Sequence, residues 1–366
     1  MGYKSIVFFL FCVLINFSAC VSSDKSASRE TVLSLRLEAD SLQTVDWAAR
    51  MQLGEIVCLS DNEDSLLSIA RKCLLNDTRI VFWDHQLKCV YVYDRGGNFL
   101  FTIGRQGGAG YECADLRDIY LGRGAHARIE LLDATGVLVF DAADGRFLEK
   151  KKLGQEHLAE YYQFAPLADD DYLLFAPDGK YSIYRCSGGQ MKGLRKRESY
   201  QLITDRFSFN GDTCVVNADY GIFTIDFYEE GSLKAACHLD FEGEELPTSL
   251  LPQTGKAFIK IDAKEEYFKS IASVLTSDQL LYIKVVGPSQ TYYDVYYNKL
   301  TKRLLAGPSD MSLGINIVAV EGEFLYALVF PEYISDNNVL YEQVKKYFVK
   351  GIDSNPILIK FKLDEN

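Results

Sequence analysis

The chain has 366 residues, 48% of them hydrophobic and 25% charged, a balance that excludes disorder for most of its length and leaves enough apolar side chains for a substantial core. It carries 23 Tyr and 22 Phe against 8 Pro, 4 Met and 2 Trp, a bias toward residues that suit pleated surfaces. Thirty-nine basic against 51 acidic residues give a net charge of −12, which repels a nucleic-acid backbone and argues against such a partner.

The first element is a leader. Residues 1–19 hold one lysine, Lys4, and then an uncharged apolar run from Ser5 to Ile15, too short to span a bilayer and of the length of a secretory signal. The run ends in Phe17-Ser18-Ala19-Cys20, which resembles a bacterial lipobox and makes Cys20 the expected lipidated first residue of the mature chain. Residues 20–30 then read as a polar tether and residues 31–366 as the folded body. Loss of residues 1–19 removes Lys4 and leaves a mature charge of −13. Seven cysteines remain in the body, with no CxxC pair among them. Zinc-ribbon and thioredoxin-type readings therefore fail, and buried thiols acting as small hydrophobes are expected.

The body repeats itself. One unit runs Arg79–Asp84, Val90–Asp94 and Phe99–Ile103, with turns at His85–Cys89 and Arg95–Asn98. The same grammar returns from Arg128, Asp171 and Thr213, more loosely from Gln279, and a sixth time at Glu323–Phe330 and Pro356–Lys362. The turn glycines Gly97, Gly145, Gly188 and Gly231 are spaced 48, 43 and 43 residues apart, a period that fits one four-stranded blade per repeat. Alternation such as Val90 and Val92 against Tyr91 and Tyr93 gives each sheet two faces to bury. The expected fold is thus all-β, a six-bladed β-propeller. Leu340, Val344 and Tyr347 follow helical spacing and place a short helix in an insertion of the last blade; a second helix is expected over Glu265–Leu275, before blade five.

Gly104-Arg105-Gln106-Gly107-Gly108-Ala109-Gly110-Tyr111-Glu112 follows the first good repeat and resembles the IGRxGxGPxE(F/Y) signature of the six-bladed β-propeller lipoproteins of Bacteroidetes, relatives of NHL-repeat propellers. Asn355-Pro356-Ile357-Leu358-Ile359 is similar to their closing NPxL segment. Ala109, Gly110 and Cys113 depart from the family pattern. The resemblance implies a propeller, export and a lipid anchor, and it implies no reaction.

Few residues carry an obvious chemistry. The Gly104–Gly110 loop lacks GK[ST] and reads as a crossover between blades, with Arg105 and Glu112 as candidates either to pair or to face a ligand. The four histidines make no HxH or HExxH spacing, and Asp169-Asp170-Asp171 lacks the order of a calcium loop. No metal and no cofactor is expected. Tyr161-Tyr162 are candidates to line a ligand funnel. Lys150-Lys151-Lys152 and Arg195-Lys196-Arg197 read as solvated hairpin edges.

The expectation for function is a lipoprotein of the outer membrane or cell surface, held to the membrane by its lipid anchor. Its propeller, a monomeric ring or a subunit of an envelope assembly, binds a peptide, protein or glycan at the ring's mouth. The rival reading is a propeller enzyme, lyase- or hydrolase-like, with its site on the ring axis, because fold alone decides neither.

Overall fold

The computed structural model describes residues 32–365, apart from 38–41, 43–44, 61–64, 69, 125, 155–159, 203 and 335–337. Cys20 and the leader lie outside the described residues. Two strands precede the repeats, β1 (Leu33–Arg36) and β2 (Met51–Cys58). Blade 1 holds β3 (Ala70–Leu75), β4 (Arg79–Asp84), β5 (Cys89–Asp94) and β6 (Phe99–Ile103). Blade 2 holds β7 (Leu116–Leu121), β8 (Arg128–Asp133), β9 (Gly136–Asp141) and β10 (Phe147–Lys151). Blade 3 holds β11 (Gln163–Ala168), β12 (Asp171–Phe175), β13 (Tyr181–Ser187) and β14 (Gln190–Lys196). Blade 4 holds β15 (Phe207–Asn210), β16 (Thr213–Val216), β17 (Thr224–Glu229) and β18 (Ser232–Asp240). Blade 5 holds β19 (Ser270–Thr276), β20 (Leu280–Val286), β21 (Tyr292–Asn298) and β22 (Leu304–Pro308). Blade 6 holds β23 (Ile315–Glu321), β24 (Phe324–Val329) and β25 (Ile357–Leu363). Its fourth, outermost strand is β2, so the first part of the chain completes the last blade.

Six buried apolar clusters account for the arrangement, one at each seam between neighbouring blades. Strand alternation builds them. In blade 1, Ile80, Phe82, Tyr91 and Tyr93 pack toward blade 6, while Val81, Trp83, Val90 and Val92 pack toward blade 2. Burying each such side chain contributes about 1.5–3 kcal/mol, and a sheet alone in water would bury neither face. Most tyrosines work here: Tyr93, Tyr172, Tyr282 and Tyr296 are buried. The periodic glycines have a conformational reason, with φ of 86° at Gly97 and 75° at Gly145. A Cβ at Gly97 would lie 2.0 Å from the Cys58 carbonyl oxygen of the neighbouring blade.

The period lapses after blade 4 because the crossover from β18 to β19 is long and carries α1 (Gly255–Asp262). Thr254 caps this helix by accepting from Ala257 N at 3.3 Å. The helix expected over Glu265–Leu275 is therefore misplaced, since Ser270–Thr276 pairs with β20 as an inner strand. The last-blade helix does form, as α2 (Tyr341–Val344) followed by a 3₁₀ turn, with Leu340 and Val344 buried. The basic runs are solvated edges only in part: Lys150, Lys152 and Lys196 are exposed, but one side chain of each run turns to a neighbouring blade. Lys151 is buried and reaches Asp169 and Asp170 at 3.5 and 3.6 Å, and Arg195 pairs with Asp226 at 2.7 Å in the next blade. All seven cysteines of the body are free thiols, and six of them are buried.

Two buried polar devices hold the ring. Asn355, just before β25, accepts from Leu67 N at 2.8 Å and donates to the Ser60 and Ser65 carbonyls at 2.6 and 2.8 Å. It thereby fastens the closing blade to the segment that leads into blade 1. Near the axis, Lys72 of β3 donates to Asp118 of β7 at 2.7 Å, and the same carboxylate accepts from Phe164 N of β11 at 3.1 Å. Burial opposes the Lys72 charge, but Asp118 and Asp205 hold its pKa above the ordinary lysine value. Burial likewise raises Asp118, against the pull of Lys72.

Two stability predictions follow from these contacts. Asn355→Ala strands the Leu67 N–H and takes one of two donors from each of the Ser60 and Ser65 carbonyls, and should cost about 1–3 kcal/mol, measured as a lower urea midpoint; an unchanged midpoint would show that the clasp is dispensable. Lys72→Met leaves Asp118 buried without its cation and should cost about 3–5 kcal/mol. The double variant Lys72→Met/Asp118→Asn, which keeps the acceptor for Phe164 N, should recover most of that loss in the same titration.

Candidate functional site

The inner strands β3, β7, β11, β15, β19 and β23 surround an axial channel of about 1500 Å³, part of it open to solvent. Antiparallel order sets the two ends apart. Each inner strand starts at the face where outer strands cross to the next blade and ends at the face of tight hairpins. Five of the six inner strands carry a register shift against their neighbours, at Ala70/Lys72, Leu116/Asp118, Pro166/Ala168, Ile271/Ser273 and Ile317/Ala319. A bulge re-aims the extra residue. In blades 1 and 2 that residue is an arginine.

The two arginines have different surroundings. Arg117 lies over the Tyr162 ring at 5.6 Å and donates to Asp115 at 2.9 Å and to the Tyr161 carbonyl at 3.1 Å. Arg71 is exposed, lines the channel, and has no hydrogen bond or ion pair among the described residues. Asp205 lies in the segment leading into blade 4, the blade opposite blade 1 across the ring. Its carboxylate is exposed on the channel wall and also has no hydrogen bond or ion pair among the described residues. The neighbouring Arg206 anchors that segment. Its guanidinium is buried, sits 4.5 Å from the Phe175 ring and donates to the Ala218 carbonyl, to Gln201 Oε1 at 2.9 Å and to the Leu202 carbonyl at 3.0 Å. Burial lowers the Arg206 pKa to about 10, against the raising effect of Asp219.

The channel changes character along its length. At the crossover end Arg71, Asp205, Ser273 and Asn316 form a polar vestibule. Farther along the inner strands the wall becomes apolar, with Leu75, Leu275 and Val320. There Tyr120 of blade 2 and Phe209 of blade 4 meet with ring centroids 5.1 Å apart, across the inner strand of blade 3, and narrow the passage to a neck. Burial raises the Tyr120 hydroxyl to about 12, so it stays a neutral donor. Leu75, Arg123, Thr276 and Val320 line both this neck and a polar funnel at the hairpin face. Among the described residues no group of three or more His, Cys, Asp or Glu is placed to hold a metal ion.

The residues singled out from the sequence lie elsewhere. Glu112 does not pair with Arg105; its carboxylate folds back to accept from Ala109 N at 2.8 Å, leaving no space for a Cβ at Gly107. Gly107 N donates to the Cys113 carbonyl and Cys113 N to the Arg105 carbonyl, closing the loop on itself. Cys113 is buried at the seam between blades 1 and 2, where burial pushes its thiol up to about 12. Arg105 is exposed on this loop. Tyr161 is buried between blades 2 and 3 against Tyr184, and Tyr162 is half-buried beneath Arg117. None of these four lines the axial channel.

Comparison with known proteins bears on the fold. The chain is similar to the crystal structure of a candidate exported protein of Bacteroides fragilis, at 15% identity and a TM-score of 0.71, over 91% of this chain and 100% of that one. It is also similar to a DUF4221 family member from Bacteroides vulgatus, at 10% identity and a TM-score of 0.57, over 86% and 98% of the two chains. No curated protein matches the chain. The model of the DUF5128 family, a 6-bladed beta-propeller, matches residues 23–310, and the chain belongs to that family.

Proposed function

We propose that the protein is an exported, lipid-anchored binding protein of the cell envelope whose ligand occupies the axial channel. The observation that carries this reading is the channel itself, with a polar vestibule, where Arg71 and Asp205 make no hydrogen bond or ion pair among the described residues, that leads into an apolar neck. Pockets of this kind, mostly apolar with a few converging polar groups, are the usual form of a small-ligand site. The leader at residues 1–19 and the lipobox-like Phe17–Cys20 support export and anchoring. So does the likeness in fold to a candidate exported protein of Bacteroides. The strand β1 pairs with β18 through Leu33↔Cys237, so twelve residues separate Cys20 from the ring. Fully extended they reach about 40 Å, enough to hold the propeller beside a membrane without burying either mouth.

Two experiments test the two halves of the reading. Val318 lines the channel midway along β23, and Val318→Trp obstructs it there. Native mass spectrometry of protein isolated from the envelope should show a small-molecule adduct on the parent chain and none on the folded variant; an adduct of equal occupancy on both places the ligand elsewhere. Metabolic labelling with an alkynyl fatty acid should tag the parent chain and not Cys20→Ser, and retention of label by Cys20→Ser would refute the anchor.

A further inference from the structure

The ligand class of the channel follows from the two charges at its crossover end that make no hydrogen bond or ion pair among the described residues. Arg71 and Asp205 stand on opposite walls of one vestibule, in blades 1 and 4, and no ion pair joins them. Of the other charges lining the channel, Lys72 is paired with Asp118 at 2.7 Å and Lys284 with Asp294 at 3.7 Å, and Arg123 stands at the far end, toward the hairpin-face funnel. A lone anion would meet Asp205 and a lone cation would meet Arg71, each at a cost in repulsion and desolvation. A molecule carrying both charges on one short backbone satisfies both walls. Ser273 and Asn316 add neutral hydrogen-bonding groups at the same level, and the Tyr120–Phe209 neck offers an apolar recess directly beyond.

Taking the axial channel as the binding site, we infer that its vestibule receives a zwitterionic molecule with apolar side chains, namely an unblocked hydrophobic amino acid or short peptide. The carboxylate meets the Arg71 guanidinium, whose planar fork suits a two-oxygen acceptor. The ammonium meets Asp205, and a side chain points into the neck. Arg206 acts as a positioning residue, since its buried anchorage fixes the segment that presents Asp205.

The test is isothermal titration of the purified chain with four probes: leucyl-leucine, its N-acetyl form, its C-terminal amide, and glycyl-glycine. Leucyl-leucine should bind, and each of the other three should bind about tenfold more weakly or worse. Arg71→Gln should erase the penalty for the amide and keep that for the acetyl form; Asp205→Asn should do the reverse. Both positions are exposed, so both variants should stay folded: Arg71→Gln with the parent's thermal midpoint, and Asp205→Asn with a slightly lower one, because it removes a carboxylate that supports the Lys72 charge. Equal binding of blocked and unblocked peptides, or no binding of leucyl-leucine at about 10 mM, overturns the inference. If leucyl-leucine fails while Val318→Trp still removes the envelope adduct, the ligand class alone is wrong. If Val318→Trp leaves the adduct in place, the channel reading fails and the inference with it.

Discussion

The pairing of β2 with β25 is the constraint on which the rest of the ring depends. A four-stranded sheet with two apolar faces has no stable life alone, and six of them in a row would leave two faces uncovered at the ends. Bringing Met51–Cys58 to the outer edge of blade 6 joins the first part of the chain to the last, so that the seam between blades 6 and 1 is buried like the other five. The polar clasp at Asn355 sits at that joint. Tyr93 reinforces it by donating to the Ser65 carbonyl at 2.7 Å, the same carbonyl that Asn355 uses.

Closure also determines what the axis can do. Once six seams are packed, the inner strands cannot move apart, and their bulges hold side chains at set heights in the channel. Repetition gives equivalent positions to residues that evolution can then use differently. Asp84 and Asp133, each at the end of a blade's second strand, do the same work: one carboxylate oxygen accepts from the segment entering the inner strand, at Ser68 N and Asp115 N, and the other from the following turn. Arg71 and Arg117 also occupy equivalent bulges, yet Arg117 is tied to its neighbours and Arg71 is left facing the vestibule. A channel arginine without hydrogen bond or ion pair among the described residues, at a position whose counterpart in the next blade is tied down, is the feature that points to a ligand.

Much of the fold was legible in the sequence. The six copies, the glycine period and the last-blade helix all appear there because they rest on local rules: alternation, positive φ and helical spacing. The inner strands were the main omission. Ala70–Leu75 and Leu116–Leu121 mix charge with apolar residues, and their bulges break the period of two by which a strand is recognised. Closure by β2 was hidden for another reason, since it joins residues some 300 positions apart. Lys151 and Arg195 departed from the solvated edges of the two basic runs because their partners, Asp169 and Asp226, come from neighbouring blades. The channel lining was the least legible. Arg105 and Glu112 stand out through a glycine-rich motif that closes a crossover loop, and Tyr161 and Tyr162 through a composition that mainly serves blade seams, and none of the four lines the channel. Arg71 and Asp205 carry no local pattern and come to one channel only through closure of the ring.

Native-state hydrogen exchange across β2 and β25 tests the central claim most directly, namely that the N-terminal strand is an integral part of a closed ring surrounding the channel. If it is, the amides pairing Met51–Cys58 with Ile357–Leu363 exchange only through global unfolding, with the same opening free energy as the buried strand Arg79–Asp84. Exchange of β2 and β25 by a separate, lower-energy opening while blades 1–5 stay protected would contradict it.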